Sequence, residues 1–208
     1  MPGRCWNRRP HIHGVEAGSR PRHHMFADRG AHHMRHIALL RAINVGGNST
    51  IKMAELRALG ERLGFTGVTT LLQSGNLTFE AAGTEPQALE QRWEQAVVET
   101  FGVPAAFMIR TLPEWRALIA ANPFRDEAEA DPAHVLALPS KGEVTGSAVV
   151  SLRAAIQGRE RIAAGGRCLY AHYPDGIGRS KLTTKLIERH LGTLVTGRNW
   201  NTVLKLAA

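Results

Sequence analysis

Stretches of strand length and stretches of helical period follow one another along most of the chain. In the first half, apolar residues run without interruption for the length of one strand, and leucines then recur every three or four residues. The elements predicted there are a strand over His36–Ile43, a helix over Met53–Leu63, a hairpin of strands Thr69–Gln73 and Leu77–Glu80, a helix over Pro86–Phe101 and a strand over Pro104–Arg110.

The same order of patterns recurs in the second half, after a connecting helix that starts at Leu112 and ends near Asn122. The acidic stretch 125–132 is predicted to be a linker. The elements predicted after it are a strand over His134–Leu138, a helix over Ser147–Gln157, strands Arg161–Ala164 and Arg167–Tyr173, a helix over Lys181–Leu191, a strand over Leu194–Thr196 and a last helix from Asn199.

These patterns predict an α+β fold of two consecutive β-α-β-β-α-β (ferredoxin-like) subdomains with a short C-terminal helix. The boundaries are 34–122 and 123–208, and the recurrence suggests a duplication. Residues 1–33 show neither period and are expected to be a disordered basic extension. Met34 directly precedes the first predicted strand, so we expect that it is the native start of the protein.

Charge is divided unevenly along the chain. The whole sequence carries a formal charge of +8, but residues 1–34 hold six arginines and two acids, which leaves +4 for the remaining residues. The carboxy-terminal part from Arg167 onward holds seven cations and two acids. A basic folded part favours anionic partners such as nucleic acid or phosphorylated ligands, although the overall charge alone does not establish them.

Cysteine and histidine positions indicate no metal site and no disulfide framework. The two cysteines, Cys5 and Cys168, form no C-x-x-C pair, as expected for a reducing compartment. No apolar run reaches the roughly 20 residues that span a membrane. We therefore expect a cytoplasmic protein with no cofactor, no metal and no membrane partner, and the sequence leaves the oligomeric state open.

The stretch Y-A-H-Y-P-D-G-I-G-R-S-K-L, residues 170–182, joins a predicted strand to a predicted helix through two glycines and two cations. Free N–H groups at a helix start attract anions, and Arg and Lys add charge. Ser180 is expected to be the N-cap. The candidate anion ligands of the loop 174–181 are Gly176, Gly178, Arg179, Ser180 and Lys181, with Asp175 as a secondary candidate. An ordinary turn with solvated cations explains the same residues.

A second cluster, T-G-R-N-W-N-T, places an indole between two amides and beside a cation. Arg198, Asn199 and Asn201 are candidate ligands. Trp200 is a secondary candidate because Trp stacks on bases, but its helical spacing with Val203 favours a place in the core.

Arg41 lies inside an apolar strand, where a cation needs a partner or an anion. Asn44 follows in a glycine-rich loop, and both are candidate ligands. Tyr170 and His172 share one face of a predicted strand, and the parity suggests the helix-free face that RNA-binding proteins of this architecture use for stacking. They are secondary candidates, and His172 is also a candidate acid–base group.

Five motifs in order, L-R-A-I-N-V-G-G, L-L-Q-S-G-N, A-N-P-F, Y-P-D-G-I-G-R-S-K-L and R-N-W-N-T-V, resemble the bacterial domain of unknown function 1697 family. The resemblance covers residues 34–206. It implies a bacterial cytoplasmic protein with two small α/β subdomains, and it implies no activity, substrate or cofactor. Ala42 stands where members usually have glycine.

Three functions stay open at the level of sequence. The first is recognition of a phosphate or another anion, with nucleic acid as the preferred ligand, although neither an RNP1 aromatic signature nor a basic helix aimed at a groove is present. The second is an enzyme that acts on a phosphorylated or carboxylated metabolite, with His172 or Asp175 handling a proton. The third is an interaction or structural protein without catalysis. The catalytic residues, if there are any, are unknown.

Overall fold

The computed structural model describes residues 33–41, 51–72, 74–83 and 85–208. The first half contains β1 His33–Arg41, α1 Met53–Arg62, β2 Thr66–Leu71, β3 Asn76–Ala82, α2 Pro86–Phe101 and β4 Ala106–Thr111. Two helices follow, α3 Leu112–Ala120 and α4 Arg125–Ala130. The second half contains β5 Val135–Pro139, α5 Gly146–Ala155, β6 Arg161–Ala164, β7 Cys168–His172, α6 Thr184–Leu191, β8 Arg198–Asn199 and α7 Trp200–Ala207.

The described strands form two antiparallel four-stranded sheets in a mixed α+β fold. The strand orders are β2-β3-β1-β4 and β6-β7-β5-β8. In each sheet the first strand of its half lies in the centre, between the third and fourth strands. The antiparallel hairpins β2-β3 and β6-β7 agree with the sequence patterns. The predicted strand Leu194–Thr196 is reduced to a single bridge between Val195 and Ser140, and the last strand of the second half is β8 instead.

The outer face of each sheet is covered by two helices, and the inner faces share one core. Helices α1 and α2 pack on the first sheet, and α5 and α6 pack on the second. The shared core contains Ile37 of β1, Trp115 of α3, Tyr170 of β7 and Trp200 of α7. Strand β1 is apolar throughout its centre because it is buried on both faces.

The acidic stretch after Asn122 is a helix rather than the predicted linker. Phe124 and Ala128 are one helical turn apart, and both are buried in the shared core. Two of the three acids of α4, Asp126 and Glu127, lie in its first turn, where the helix dipole favours negative charge. The acidic composition of this stretch therefore did not indicate the amphipathic helix that it forms.

A buried ionic network joins the two halves around Glu90 of α2, which is 2% exposed. The Glu90 carboxylate accepts from Lys141 Nζ at 3.1 Å, and the guanidinium groups of Arg110 and Arg167 each approach it to 3.6 Å. It also accepts the backbone N–H of Ile109 at 2.9 Å. Lys141 and Arg167 belong to the second half, so this network holds the halves together.

Candidate functional site

The glycine-rich loop between β7 and α6 contains a turn and a single 3-10 segment, Ile177–Arg179. Gly176 has a φ of 90°, which L side chains rarely adopt, and its N–H donates to the Tyr173 carbonyl at 3.0 Å. Gly178 does not have a positive φ. Of these two glycines, only Gly176 therefore has a backbone conformation that favours glycine.

Helix α6 begins at Thr184, later than the predicted Lys181. Its N-cap is Thr183, whose Oγ1 accepts the Leu186 N–H at 3.3 Å. The prediction of Ser180 as the cap was wrong. Ser180 Oγ instead accepts the N–H of Leu182 at 2.9 Å and donates to the Glu160 carboxylate. The glycine-rich loop is thus separated from the helix start.

Asp175 forms an exposed ion pair with Arg159 rather than a local turn bond. The hydrogen bond from the Arg159 guanidinium is the main cause that lowers the pKa of the Asp175 carboxyl. An ionised carboxylate that is already engaged is a poor proton carrier at neutral pH. Asp175 therefore has a charge-balancing role at the edge of the loop.

Four exposed cations lie on and after the loop: Arg179, Lys181, Lys185 and Arg189. Among the described residues, none of these four side chains has a hydrogen-bond or ion-pair partner. Lys185 and Arg189 are four residues apart on α6, so they lie on one face of the helix. Positive charge without a protein partner is available to a ligand.

A groove between the end of α5 and the start of α6 contains three of these cations. We call it the basic groove; its volume is about 770 Å³, and its lining residues are Ala154, Ala155, Gln157, Lys181, Thr183, Lys185, Leu186 and Arg189. The lining contains no acid. Its floor is built from small and aliphatic side chains, which leave room for an extended ligand between the two helices.

A smaller cavity of about 270 Å³ adjoins the basic groove, because Gln157 and Lys181 line both. The other loop residues in it are Asp175, Gly176, Arg179 and Ser180. Glu160 also lines it, and one of its carboxylate oxygens is buried without a hydrogen-bond partner. The structure thus brings together most of the predicted loop ligands.

Arg41 lies elsewhere and already has a partner. Its Nε and Nη2 donate to the two carboxylate oxygens of Glu188, each at 2.6 Å. The same carboxylate accepts the Val195 N–H at 3.0 Å. The cation inside the strand therefore joins the two halves of the protein, and its donors face a protein carboxylate rather than an open site. Asn44 lies outside the described residues.

Arg198 is likewise a structural cation, contrary to its prediction as a ligand. Its Nε donates to the Asn76 side-chain oxygen, and the remaining donors reach Thr196 Oγ1, Gly197 O, Leu40 O and Ser74 O at 2.8–3.1 Å. Burial lowers the pKa of the guanidinium to about 10, so it stays charged at neutral pH. All three nitrogens are engaged within the protein.

The neighbours of Arg198 divide between helix capping, core and solvent. Asn199 is the N-cap of α7, and its Oδ1 accepts from the N–H and the hydroxyl of Thr202 at 3.0 and 2.9 Å. Trp200 is 7% exposed and belongs to the shared core, as its spacing favoured. Asn201 is exposed. None of the three lines the basic groove or the adjoining cavity.

The predicted helix-free face of Tyr170 is covered. Tyr170 does face away from α5 and α6, but it is fully buried in the shared core, and its hydroxyl donates to the Leu118 carbonyl at 2.6 Å. Burial raises the pKa of this phenol. The parity argument was correct about the face and wrong about its exposure, because α3 and the first sheet pack there.

His172 lies at the end of β7, half-buried against Arg161 and Phe124. Its Nδ1 is 3.2 Å from Arg161 Nη2. Burial and the neighbouring Arg161 charge lower the pKa of the imidazole, and the Glu127 carboxylate opposes them. His172 lines neither the basic groove nor the adjoining cavity, so the structure does not join it to the predicted loop ligands.

Lys185, Arg189 and Gln157 belong to the site but were not among the predicted ligands. Positions 181, 185 and 189 are each four residues apart, and this spacing of cations was a readable signal. No such signal exists for Gln157, because it reaches the groove through the packing of α5 against α6.

In the described part of the chain no helix is long and apolar enough to cross a membrane. The same residues include no cluster of three or more histidine, cysteine or acidic side chains that is placed to hold a metal ion.

Comparison with known proteins supports the fold and names no reaction. The conserved bacterial protein SP0830 from Streptococcus pneumoniae has a similar structure, with a TM-score of 0.66, 20% identity and coverage of 84% of this chain and 97% of that one. No curated protein matches the sequence. The family model "Protein of unknown function (DUF1697)" matches residues 34–170, and the chain therefore belongs to this family.

Proposed function

We propose that this protein binds the phosphate backbone of nucleic acid through the basic groove. The carrying observation is the row Lys181, Lys185 and Arg189, three cations without protein partners in a groove that no acid lines. Arg179 extends the row into the adjoining cavity. Cations arranged in this way neutralise successive phosphates and release counterions.

The lining favours recognition of the backbone without reading of the bases. No aromatic side chain lines the groove, whereas proteins that bind single strands stack the bases on aromatic rings. Lys185 and Arg189 present their charges from one helix face, which suits the regular phosphates of a duplex. We therefore expect a double-stranded ligand and little sequence preference.

The proposal is tested by fluorescence anisotropy with a labelled duplex of mixed sequence. If three phosphates are neutralised, the logarithm of the association constant should fall with the logarithm of salt with a slope of about −3. The triple variant Lys181→Glu, Lys185→Glu, Arg189→Glu should remove the contribution of the groove to the affinity for the duplex. Binding that is independent of salt, or absent from the wild-type protein, rejects the proposal.

A matched triple variant, Arg62→Glu, Arg116→Glu, Lys205→Glu, changes the net charge equally at exposed helical positions that do not line the groove. The arginines of residues 1–34 are present in both variants, so their contribution cancels in the comparison. Equal loss of affinity in the two variants would show a response to net charge alone, and it would contradict a site in the groove.

A phosphorylated small metabolite is the second candidate, and the adjoining cavity supports it. Arg179 and Lys181 provide positive charge there, and the buried Oε2 of Glu160, which has no partner among the described residues, provides a hydrogen-bond acceptor. Pyrophosphate is a suitable probe. The metabolite would be favoured over nucleic acid if pyrophosphate at low concentration displaces the duplex and changes the NMR chemical shifts of residues 176–181 alone.

We further infer that each sheet with its covering helices is a ferredoxin-like unit, with a boundary at residues 122 and 123. The strand orders and the element orders of the two halves support this. Separately, we propose a cytoplasmic location, because the cysteine usage suggests a reducing compartment. Limited proteolysis tests the boundary, since cleavage between α3 and α4 should precede cleavage within either half.

A further inference from the structure

The two sheets place an arginine at the same position of the last strand. In the first sheet Ile37 of the central strand pairs with Arg110 of β4. In the second sheet Ala137 of the central strand pairs with Arg198 of β8. Each arginine is followed by the residue that caps the next helix, Thr111 for α3 and Asn199 for α7. The two positions are therefore structural equivalents.

The same register identifies the residue across the central strand from each arginine. Two residues beyond Ile37, Leu39 pairs with Asn76 of β3. Two residues beyond Ala137, Pro139 pairs with Cys168 of β7. Cys168 consequently stands in the second sheet where Asn76 stands in the first.

Each arginine reaches across to the other half, but only Arg198 has its donors filled. Arg110 Nη1 donates to Ile109 O at 2.7 Å, and Nη2 donates to Ser140 O and Arg167 O at 2.7 and 2.9 Å. These bonds resemble those of Arg198 to backbone carbonyls. The Nε of Arg110, however, has no hydrogen-bond partner among the described residues.

The two arginines differ because the side chain at the equivalent neighbouring position is Asn76 for Arg198 and Cys168 for Arg110. The amide oxygen of Asn76 accepts from Arg198 Nε. The Cys168 thiol is shorter, accepts hydrogen bonds weakly and donates to Leu169 O at 3.5 Å. Arg110 as a whole is only 5% exposed, but its Nε is not among the fully buried side-chain atoms that lack a partner, so this N–H is accessible to a molecule in the space beside it.

A cavity of about 320 Å³ lies against Arg110 and Cys168, between α3 and the β6-β7 turn. Leu118 and the Tyr170 ring form apolar walls, and Arg167 adds a second cation. Glu114 is the lone acid of the lining, and one of its carboxylate oxygens already accepts the Thr111 N–H at 2.7 Å. The lining thus has one more cation than acids, although both of its arginines also lie 3.6 Å from the Glu90 carboxylate, and its volume is at the small end of ligand pockets.

We propose that this cavity binds a small organic carboxylate with an apolar body. One carboxylate oxygen accepts from Arg110 Nε, as the Asn76 amide does from Arg198, and the apolar body packs on Leu118 and Tyr170. In the first half the Asn76 side chain accepts from the arginine Nε, and in the second half the bound carboxylate takes that place. The site is separate from the basic groove, because none of the residues that line one also lines the other.

Benzoate is the probe, with benzamide and benzylamine as neutral and cationic analogues of similar shape. Titration of the full chain, followed by the methyl resonances of Leu118 and Ala117, should show saturable shifts with benzoate. Benzamide should bind at least tenfold more weakly, and benzylamine should not bind. No shift with millimolar benzoate, or equal affinity for benzamide, overturns the carboxylate assignment.

Cys168→Asn is the decisive variant, because it places an amide where the first half has Asn76. It should weaken benzoate binding at least tenfold, whereas Cys168→Ser, which keeps the size of the native side chain, should retain binding. If Cys168→Asn does not fold, Ala117→Leu narrows the cavity from the exposed side of α3 and should give the same loss. Undiminished benzoate binding in the variant that folds rejects the site. Duplex binding by the groove should be unchanged in all three.

Discussion

Replacement of Arg198 by methionine tests whether the two halves are held by buried polar contacts. Methionine approximates the length of the arginine stem and removes every donor. Three acceptors of Arg198, namely the side chain of Asn76 and the carbonyls of Leu40 and Ser74, belong to the first half. The substitution therefore removes polar contacts between the halves and changes little of the apolar packing.

The magnitude follows from the state of each acceptor after the change. Asn76 is fully buried, and its side-chain oxygen is left without a donor, at a cost of about 1–3 kcal/mol. The bonds to the carbonyls of Leu40 and Ser74 are each worth about 0.5–1.5 kcal/mol. The free energy of unfolding should therefore fall by about 2–6 kcal/mol, which is a large part of the total for a typical domain.

Urea denaturation followed by tryptophan fluorescence measures the effect. Trp115 and Trp200 are buried in the shared core of the two sheets, and Trp93 lies in the core of the first sheet alone. A double-mutant cycle with Asn76→Ala isolates the pair. Its coupling energy should be about 1–3 kcal/mol, because removal of both partners leaves neither the Asn76 oxygen nor the Arg198 Nε without the other.

A loss of less than about 1 kcal/mol for Arg198→Met would refute the reasoning, since water would then replace the guanidinium at no large cost. Additive single variants in the cycle would likewise show that Asn76 and Arg198 do not depend on each other.

Three further expectations rest on buried or exposed charge. Burial lowers the folded-state pKa of His36 below its ordinary 6.5, so the unfolded chain binds the proton more strongly and the stability of the protein falls as pH drops through 6.5. In the His36→Phe variant, the melting temperature should therefore depend less on pH between about pH 7 and about pH 5. An unchanged slope of melting temperature against pH would contradict this. Glu90→Gln leaves three cations around a neutral amide and should lower the free energy of unfolding by about 3–5 kcal/mol in urea titration, a prediction that a loss under about 1 kcal/mol would exclude. The double variant Arg179→Ala, Lys181→Ala should change the same quantity by less than about 0.5 kcal/mol, because both side chains are exposed and unpaired, and a larger loss would mean that they serve the fold.

Periodicity in the sequence was sufficient for most of the architecture. The helix over Pro86–Phe101 and the strand over Arg161–Ala164 match their predicted bounds, because glycines and a proline mark their ends and their apolar spacing is regular. Local composition gave a wrong prediction where an element forms because of tertiary packing. Helix α4 is an example, since its two buried positions are surrounded by acids.

The sequence does not distinguish cations that stay exposed from cations that pair within the protein. A free cation such as Lys181 and a paired cation such as Arg41 look alike in sequence, because the partner Glu188 is distant along the chain. The tertiary packing of α6, and not the local motif, places that glutamate beside Arg41. The same holds for Arg198, whose first-half acceptors are contributed by β1, β3 and the turn before β3.

The sequence by itself determined the two repeated halves, the family and the basic character of the loop before α6, since each of these is a local or periodic property of the chain. Only the tertiary structure decided which cations are available to a ligand. Burial of the two inner sheet faces against each other engages Arg41, Arg110 and Arg198 in contacts between the halves, because a charge taken from water needs a partner. The cations of the outer helix α6 have no acidic partner among the described residues, and so they stay available to an external anion.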